Sequence, residues 1–399
     1  MEHLNGAERH DRKSLPRLDF RGFVRVRQNR GLTPVLRLLV NFWYAHPVGH
    51  AIEALRYCLG YHLADPELRV SVALNAATPV ELAGCCPFVD AAYSIGYTDF
   101  LGRAGDPDAA LAEVPPDWDY VLDDDRSRQP AQLEFEGVRR YYQAAHRHFS
   151  PRIHHGTAGH EPPAYQPHGE LRLRLPARRE RPGQITIAVM PAGSSEPWRY
   201  PSAASWQRIL GALREELPEA VFCFVGKLER DERTSTSWTR EQFESLGDGI
   251  WAVDEPLLDQ LALVEACDLF LSPHTGFGCA AVSVGTPWLT LSGGPWHEWF
   301  FNGVPFHSVL PDTSRYPAFT QMGDQPDTVD DDGEPRTPSM TRARIEEDLP
   351  ELVEAARTLI ERRMSYEQSL RAYFPRLLEA YEGDRSKIFS FDGIHGRFI

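Results

Sequence analysis

Cysteine is scarce and scattered: Cys58, Cys85, Cys86, Cys223, Cys267 and Cys279 are the six in 399 residues. None forms a Cys-x-x-Cys pair and most lie in apolar runs. That argues against a zinc site or a disulfide framework and fits a reducing, cytoplasmic compartment. Also missing is any apolar run near the roughly 20 residues that a membrane-spanning helix needs. The first 30 residues carry Arg, Lys, His and Asp with no apolar stretch, so no secretory signal is expected. Positive charge is in deficit as well. Against 57 Asp and Glu stand 42 Lys and Arg, a formal net charge of −15. Nonspecific nucleic-acid binding needs a basic surface, so nucleic acid is not an expected partner. A local basic pocket for a nucleotide stays open, because the acid excess is partly concentrated in Asp324, Asp327, Asp330, Asp331, Asp332 and Glu334.

What the chain does have is a composition of 42% hydrophobic and 25% charged residues, which suits a well-cored protein. Its length suits two or more ordinary domains. Residues 1–32 are polar and basic and read as a flexible tail. A buried strand is then expected at 35–40 and further strands at 69–74, 89–95 and 119–123, with helices between and after them at 51–63, 78–85 and 132–149. Ile52, Leu55, Leu59 and Leu63 share one face of the first helix, which Asp65-Pro66 ends. An Arg- and Pro-rich linker, Arg172 to Gly183, precedes a second alternating series: strands at 185–190, 221–226 and 251–253, and helices at 205–217 and 257–266. The end of the chain is helical over 346–363 and 366–381. The acidic, Pro-rich segment from Gly323 to Ala343 lacks periodicity and reads as a flexible loop or lid. The alternation predicts α/β architecture, two Rossmann-like doubly wound domains over 33–176 and 184–365.

The most informative stretch is Cys267 to Gly294, CDLFLSPHTGFGCAAVSVGTPWLTLSGG. Leu269, Phe270 and Leu271 make a buried strand, which His274-Thr275-Gly276-Phe277-Gly278 interrupts. Cys279 to Val284 is a run of small residues suited to a helix packed close to a sheet. Gly285-Thr286-Pro287 then turns the chain into Trp288-Leu289-Thr290-Leu291. A strand, a glycine turn and a helix start leave backbone N–H groups pointing outward, a cradle for phosphate at the carboxyl edge of a parallel sheet. The same sequence of elements occurs in any doubly wound domain, ligand or none. In detail the stretch resembles the donor-binding signature of the ADP-heptose:lipopolysaccharide heptosyltransferases. Thr275 and Gly276 match; His274 stands where that family has Asp, and Cys279 where it has His.

The resemblance, which runs through residues 35 to 310 in order of elements, implies a GT-B fold: two Rossmann-like domains facing across a cleft, with the final helix, 366–399, returning to the first domain. It implies a metal-independent glycosyltransferase, of hexosyl or heptosyl type, that needs no cofactor. Its partners would be a nucleotide-diphospho-sugar donor and a glycan or small natural-product acceptor. The family's Gly-Asp pair, which carries its presumed base, falls on Gly49-His50. A neutral imidazole accepts a proton at physiological pH, so His50 is the candidate base and His46 the runner-up; helix capping or lining of the acceptor pocket is the plainer role. For the diphosphate, Ser194, Ser195 and Arg199 match in kind the family's Ser or Thr and Lys or Arg; a surface charge and cap serines are the alternative. Thr275, Gly276, Phe277 and Gly278 add a hydroxyl and backbone N–H groups, and His274 is a candidate for sugar or phosphate. Lys227 and Glu229, after a strand, are candidates for phosphate and ribose. Trp296 and His297, in an aromatic-dense loop, are candidates for stacking on sugar or base. Asp123 and Asp124, at a strand end, are acceptor-side candidates or a solvated edge. The six His between His146 and His168 lack regular spacing, and no metal site is assigned. Against transfer with inversion stand two other expectations: a non-catalytic sugar-nucleotide binder, and a GT-B sugar-nucleotide epimerase.

Overall fold

The structure, a computed structural model, describes residues 35–44, 48–99, 101–124, 130–149, 163–166, 169–229, 236–291, 302–311, 313, 326 and 328–388. The expected tail at 1–32, His46, Trp296 and His297 lie outside these residues.

In the first half the order is β1 (Arg37–Phe42), α1 (Val48–Ala64), β2 (Arg69–Asn75), β3 (Val89–Ile95), α2 (Pro107–Leu111), β4 (Tyr120–Asp123), α3 (Pro130–Leu133) and α4 (Glu136–His148). The second half runs β5 (Ile185–Val189), α5 (Ala203–Glu216), β6 (Ala220–Phe224), α6 (Arg240–Glu244), β7 (Ile250–Trp251), α7 (Leu257–Glu265), β8 (Leu269–Pro273), α8 (Gly276–Val282), β9 (Trp288–Leu291), β10 (Phe306–Ser308), α9 (Arg342–Ile360) and α10 (Tyr366–Ala380). β1, β8 and β9 are short apolar runs buried along most of their length, as strands covered on both faces must be, whereas the edge strand β3 alternates half-buried and exposed residues.

The described strands form two sheets. One has the order β3-β2-β1-β4, the other β10-β9-β8-β5-β6-β7. Every pairing within them is parallel; Val40, for example, lies between Val72 and Leu122. In each sheet the chain winds outward both ways from a central strand. The order reverses between β1 and β4 in the first, and between β5 and β8 in the second. Ligands of open α/β sheets bind outside the carboxyl ends of the strands at such reversals. The loops leaving β1, β5 and β8 are therefore where a site belongs.

Several elements differ from expectation. The helix expected at 78–85 is a 3-10 helix, Val80–Cys85, entered through Pro79. The helix expected at 132–149 breaks at Glu134–Phe135 into α3 and α4. The small-residue helix begins at Gly276, because Thr275 caps it: its Oγ1 accepts from the Gly278 N–H at 3.1 Å. The described part of the expected lid is built rather than loose. Val329 bridges Pro335, and the buried Arg336 donates to the Tyr200 carbonyl at 2.9 Å and pairs with Asp330 at 2.8 Å and with Asp332. Hydrophobic periodicity is blind to such pairing of acids with one arginine.

The linker is a docked strap. Leu173 N–H donates to the Ser283 carbonyl at 2.9 Å, and Arg174 N–H to the Cys85 carbonyl at 2.8 Å, so adjacent residues tie to the two halves. α10 packs on β10 and α9: Ser369 Oγ accepts from Phe306 N–H at 2.9 Å, and Arg376 pairs with Glu351 at 2.8 Å.

Two consequences are measurable. A Cβ on Gly278 would lie 2.5 Å from the ring of the fully buried Trp288, whereas one on Gly211 in α5 meets nothing within 4 Å. Gly278→Ala should lose about 1–3 kcal/mol in urea unfolding, and Gly211→Ala should gain about 0.5–1 kcal/mol; a neutral Gly278→Ala would contradict this packing. Glu351 accepts from His307 Nε2 at 2.8 Å as well as from Arg376, and these bonds, His307 first, hold its carboxyl at about 2, against an ordinary value of 4.5. A depressed folded pKa adds stability that is present above 4.5 and is lost as pH falls through about 2. Glu351→Gln should therefore be less stable than the parent near neutrality, with the gap closing between those two pH values. A gap independent of pH would contradict it.

Candidate functional site

α1 and α8 come from different halves and meet at two glycines in their first turns. A Cβ on Gly276 would lie 2.9 Å from the Gly49 nitrogen, and one on Gly49 would lie 3.1 Å from the Gly276 Cα. Only hydrogen fits between the two backbones at that separation. The contact sets the first turn of α1, where His50 sits half-buried, beside the capped start of α8. Behind it an apolar cluster continues through Ala51, Leu55 and Cys58 to Phe277, Ala280 and Ala281.

A cleft of about 360 Å³ opens at this contact. The first half supplies Val48, Pro79 and Glu81; the second supplies the ends of β5, β6 and β8, among them Ser194, Lys227, Thr275, Gly276 and Phe277. Lys227 is the cation among the described residues that line it, at 4.0 Å from Glu229.

The turn carrying Lys227 is held by two residues not singled out from the sequence. Gln260 is buried; its Oε1 accepts from Gly226 N–H at 2.8 Å, and its Nε2 donates to the Gly226 and Glu255 carbonyls at 3.1 and 2.7 Å. Asp254 has a left-handed backbone, φ 68°, and accepts from Leu228 N–H at 2.7 Å and Glu229 N–H at 2.9 Å. The signals were present. Gln260 is a polar residue on the buried stripe of an apolar helix, and Asp is a residue type that tolerates left-handed turns.

The structure gathers some of the predicted residues and disperses others. Ser194, Lys227, Thr275, Gly276 and Phe277 line the cleft; His50, Ser195, Arg199, Glu229, His274 and Gly278 are not among its lining residues, although Val48, two residues before His50, is. Ser195 Oγ donates to Glu196 at 2.7 Å. Arg199 is buried, 3.2 Å from the same carboxylate and over the Trp198 ring. Glu229 is exposed. His274 packs against Trp288, ring centroids 5.8 Å apart, and its backbone N–H donates to the Leu291 carbonyl at 3.2 Å. Gly278 makes room for the same indole. Cys279 is a packing residue: burial pushes its thiol up to about 12, far from a nucleophile's range. Asp123 accepts from Asn41 Nδ2 at 2.7 Å and lies 3.3 Å from His146 Nε2, while Tyr141 bonds the same Asn41; Asp124 is buried beside it. Of the described residues, Asp330, Asp331 and Asp332 are grouped closely enough for a metal ion, but Arg336 and Arg342 pair with them. No described helix is long and apolar enough to cross a membrane.

No protein-family model matches the chain, and no curated protein matches it in sequence. Solved structures do match in shape. A family 9 glycosyl transferase from Veillonella parvula is 14% identical, with a TM-score of 0.51 over 82% of this chain and 97% of that one. The E. coli ADP-heptose lipopolysaccharide heptosyltransferase II gives 14% identity and a TM-score of 0.48, over 82% and 100% of the two chains. E. coli heptosyltransferase WaaC, solved with ADP, gives 11% and 0.48, over 79% and 100%. Two parallel sheets, each reversing its strand order, give this chain the GT-B fold, and in that fold it is similar to the family 9 glycosyl transferase.

Proposed function

We propose that the protein transfers a sugar from a nucleotide-diphospho-sugar to an acceptor hydroxyl with inversion, without a metal ion. The observation that carries this is the contact of Gly49 with Gly276. Two short motifs more than half the chain apart, one carrying the candidate base and one the candidate phosphate cradle, touch beside a cleft that both halves line.

The diphosphate lies against Thr275 and Gly276, where the first N–H groups of α8 have no partner within the helix, and Lys227 balances its charge. That is a change from Arg199, whose guanidinium is turned to Glu196 and Trp198. The acceptor lies along the carboxyl edge of the first sheet, where β4 ends at Asp123. Its oxygen attacks the anomeric carbon from the side opposite the diphosphate. The bond from that carbon to the phosphate oxygen breaks, its electrons leave with the nucleoside diphosphate, and His50 takes the hydroxyl proton. The sugar, hexosyl or heptosyl, leaves with inverted configuration. The acceptor is a glycan or a small natural product.

A panel of nucleotide sugars tests the reading. One of them at a hundred times its Kd should stabilise the fold by about 2.7 kcal/mol, and nucleoside diphosphate should appear slowly by hydrolysis or faster with acceptor. Binding with no release under any condition would favour a non-catalytic binder. His50→Ala should lower the rate by about 10²–10⁴ while nucleotide binding persists; an unchanged rate removes His50 as the base. Dialysis against EDTA should leave the rate unchanged. A loss restored by a divalent cation would overturn metal independence.

A further inference from the structure

Three carboxylates line the cleft among the described residues: Glu81, Asp254 and Glu255. Two belong to the scaffold of the second half. Asp254 holds the amides of Leu228 and Glu229 and lies 3.6 Å from Arg240. Glu255 is ion-paired with Arg179 of the linker. Glu81 differs in origin. It belongs to the first half, in the first turn of the 3-10 helix that follows Pro79, and it is exposed. The linker braces that helix against the other wall: Arg174 N–H bonds the Cys85 carbonyl at its end, and five residues on Arg179 reaches Glu255. Pro79, Pro256 and Leu257 line the same cleft with apolar surface.

An ionised carboxylate repels a diphosphate and accepts hydrogen bonds, so the portion of a nucleotide-type ligand suited to Glu81 is not its phosphates but its hydroxyl donors. The two oxygens of Glu81 are acceptors only, and together they fit two neighbouring hydroxyl groups. The cation for the anionic portion, Lys227, is on the other half. We infer that Glu81 grips a vicinal diol of the ligand, so that a nucleotide-type ligand with its charge on Lys227 and its diol on Glu81 ties the two halves together. The inference rests on the nucleotide-sugar reading and assigns to Glu81 the ribose role that the sequence suggested for Glu229, which is exposed and not among the lining residues. The diol belongs either to the ribose or to the transferred sugar.

Calorimetric binding of ADP, GDP, UDP and CDP, each beside its 2′-deoxy counterpart, to the parent protein and to Glu81→Ala and Glu81→Gln tests this. The parent should prefer the ribonucleotide by about ten- to a hundredfold, the range of a hydrogen bond to a charged group. In Glu81→Ala that preference should vanish, and in Glu81→Gln it should be partly kept. Thermal unfolding of both variants should match the parent, since the side chain is exposed. Should the ribose preference be unaffected in Glu81→Ala while a nucleotide sugar loses its advantage over the free diphosphate, the diol is that of the transferred sugar. Variants that bind every one of these ligands as the parent does would overturn the role of Glu81 alone. Absence of any nucleotide or nucleotide-sugar binding to the parent would overturn this role and the nucleotide-sugar reading together.

Discussion

Two backbones meeting without side chains between them, at Gly49 and Gly276, govern how this molecule is put together. The approach is too close for a methyl group on Gly276 unless one helix moves. It brings the start of α1 to the start of α8, and with them the two halves. The cleft follows from it: α1 and α8 are joined at their first turns, and residues after β5 and β6 line the space beside them. The contact also separates chemistry between the halves, with His50 and Glu81 on one and Lys227 and Thr275 on the other.

A site shared in this way needs rigid walls, and the second half builds its wall with buried polar side chains. Gln260 satisfies both backbone groups of Gly226, and Asp254 accepts a left-handed conformation while holding the next two amides. An unsatisfied buried backbone group costs about 1–3 kcal/mol, so a turn held at so many points has little freedom to wander. Lys227 is the tip of that turn. The docked linker does comparable work between the halves, bonded on one side to the helix of Glu81 and on the other to the end of α8.

Much of the architecture was legible in the sequence because it is written in hydrophobic periodicity and turn residues. The alternation of apolar runs gave the parallel strands, and Gly285-Thr286-Pro287 marked the return into β9. The Thr275-Gly276 and Gly49-His50 pairs were singled out separately, and the fold joins them. What periodicity does not encode was misread or missed. Arg336 orders an acidic segment that looked loose. Arg199 resembles a phosphate ligand in sequence but is buried against Glu196 and Trp198. Glu229 is one residue beyond Leu228 and three from Gly226, yet the turn that Asp254 imposes leaves it outside the cleft lining. Pro79 and Glu81 line the cleft only because the halves meet, and no local pattern announces that. The polar residue on the buried stripe of α7, Gln260, was a signal that an unpaired backbone turn lay next to it.

Crystals of the protein grown with a nucleoside diphosphate would decide between a cleft that works and a cleft that merely exists. The expected density places the diphosphate between Lys227 and the Thr275–Gly276 backbone, with Gly49 still against Gly276 and His50 on the facing side. A nucleotide bound at any other surface, with that cleft empty, would contradict the proposed chemistry.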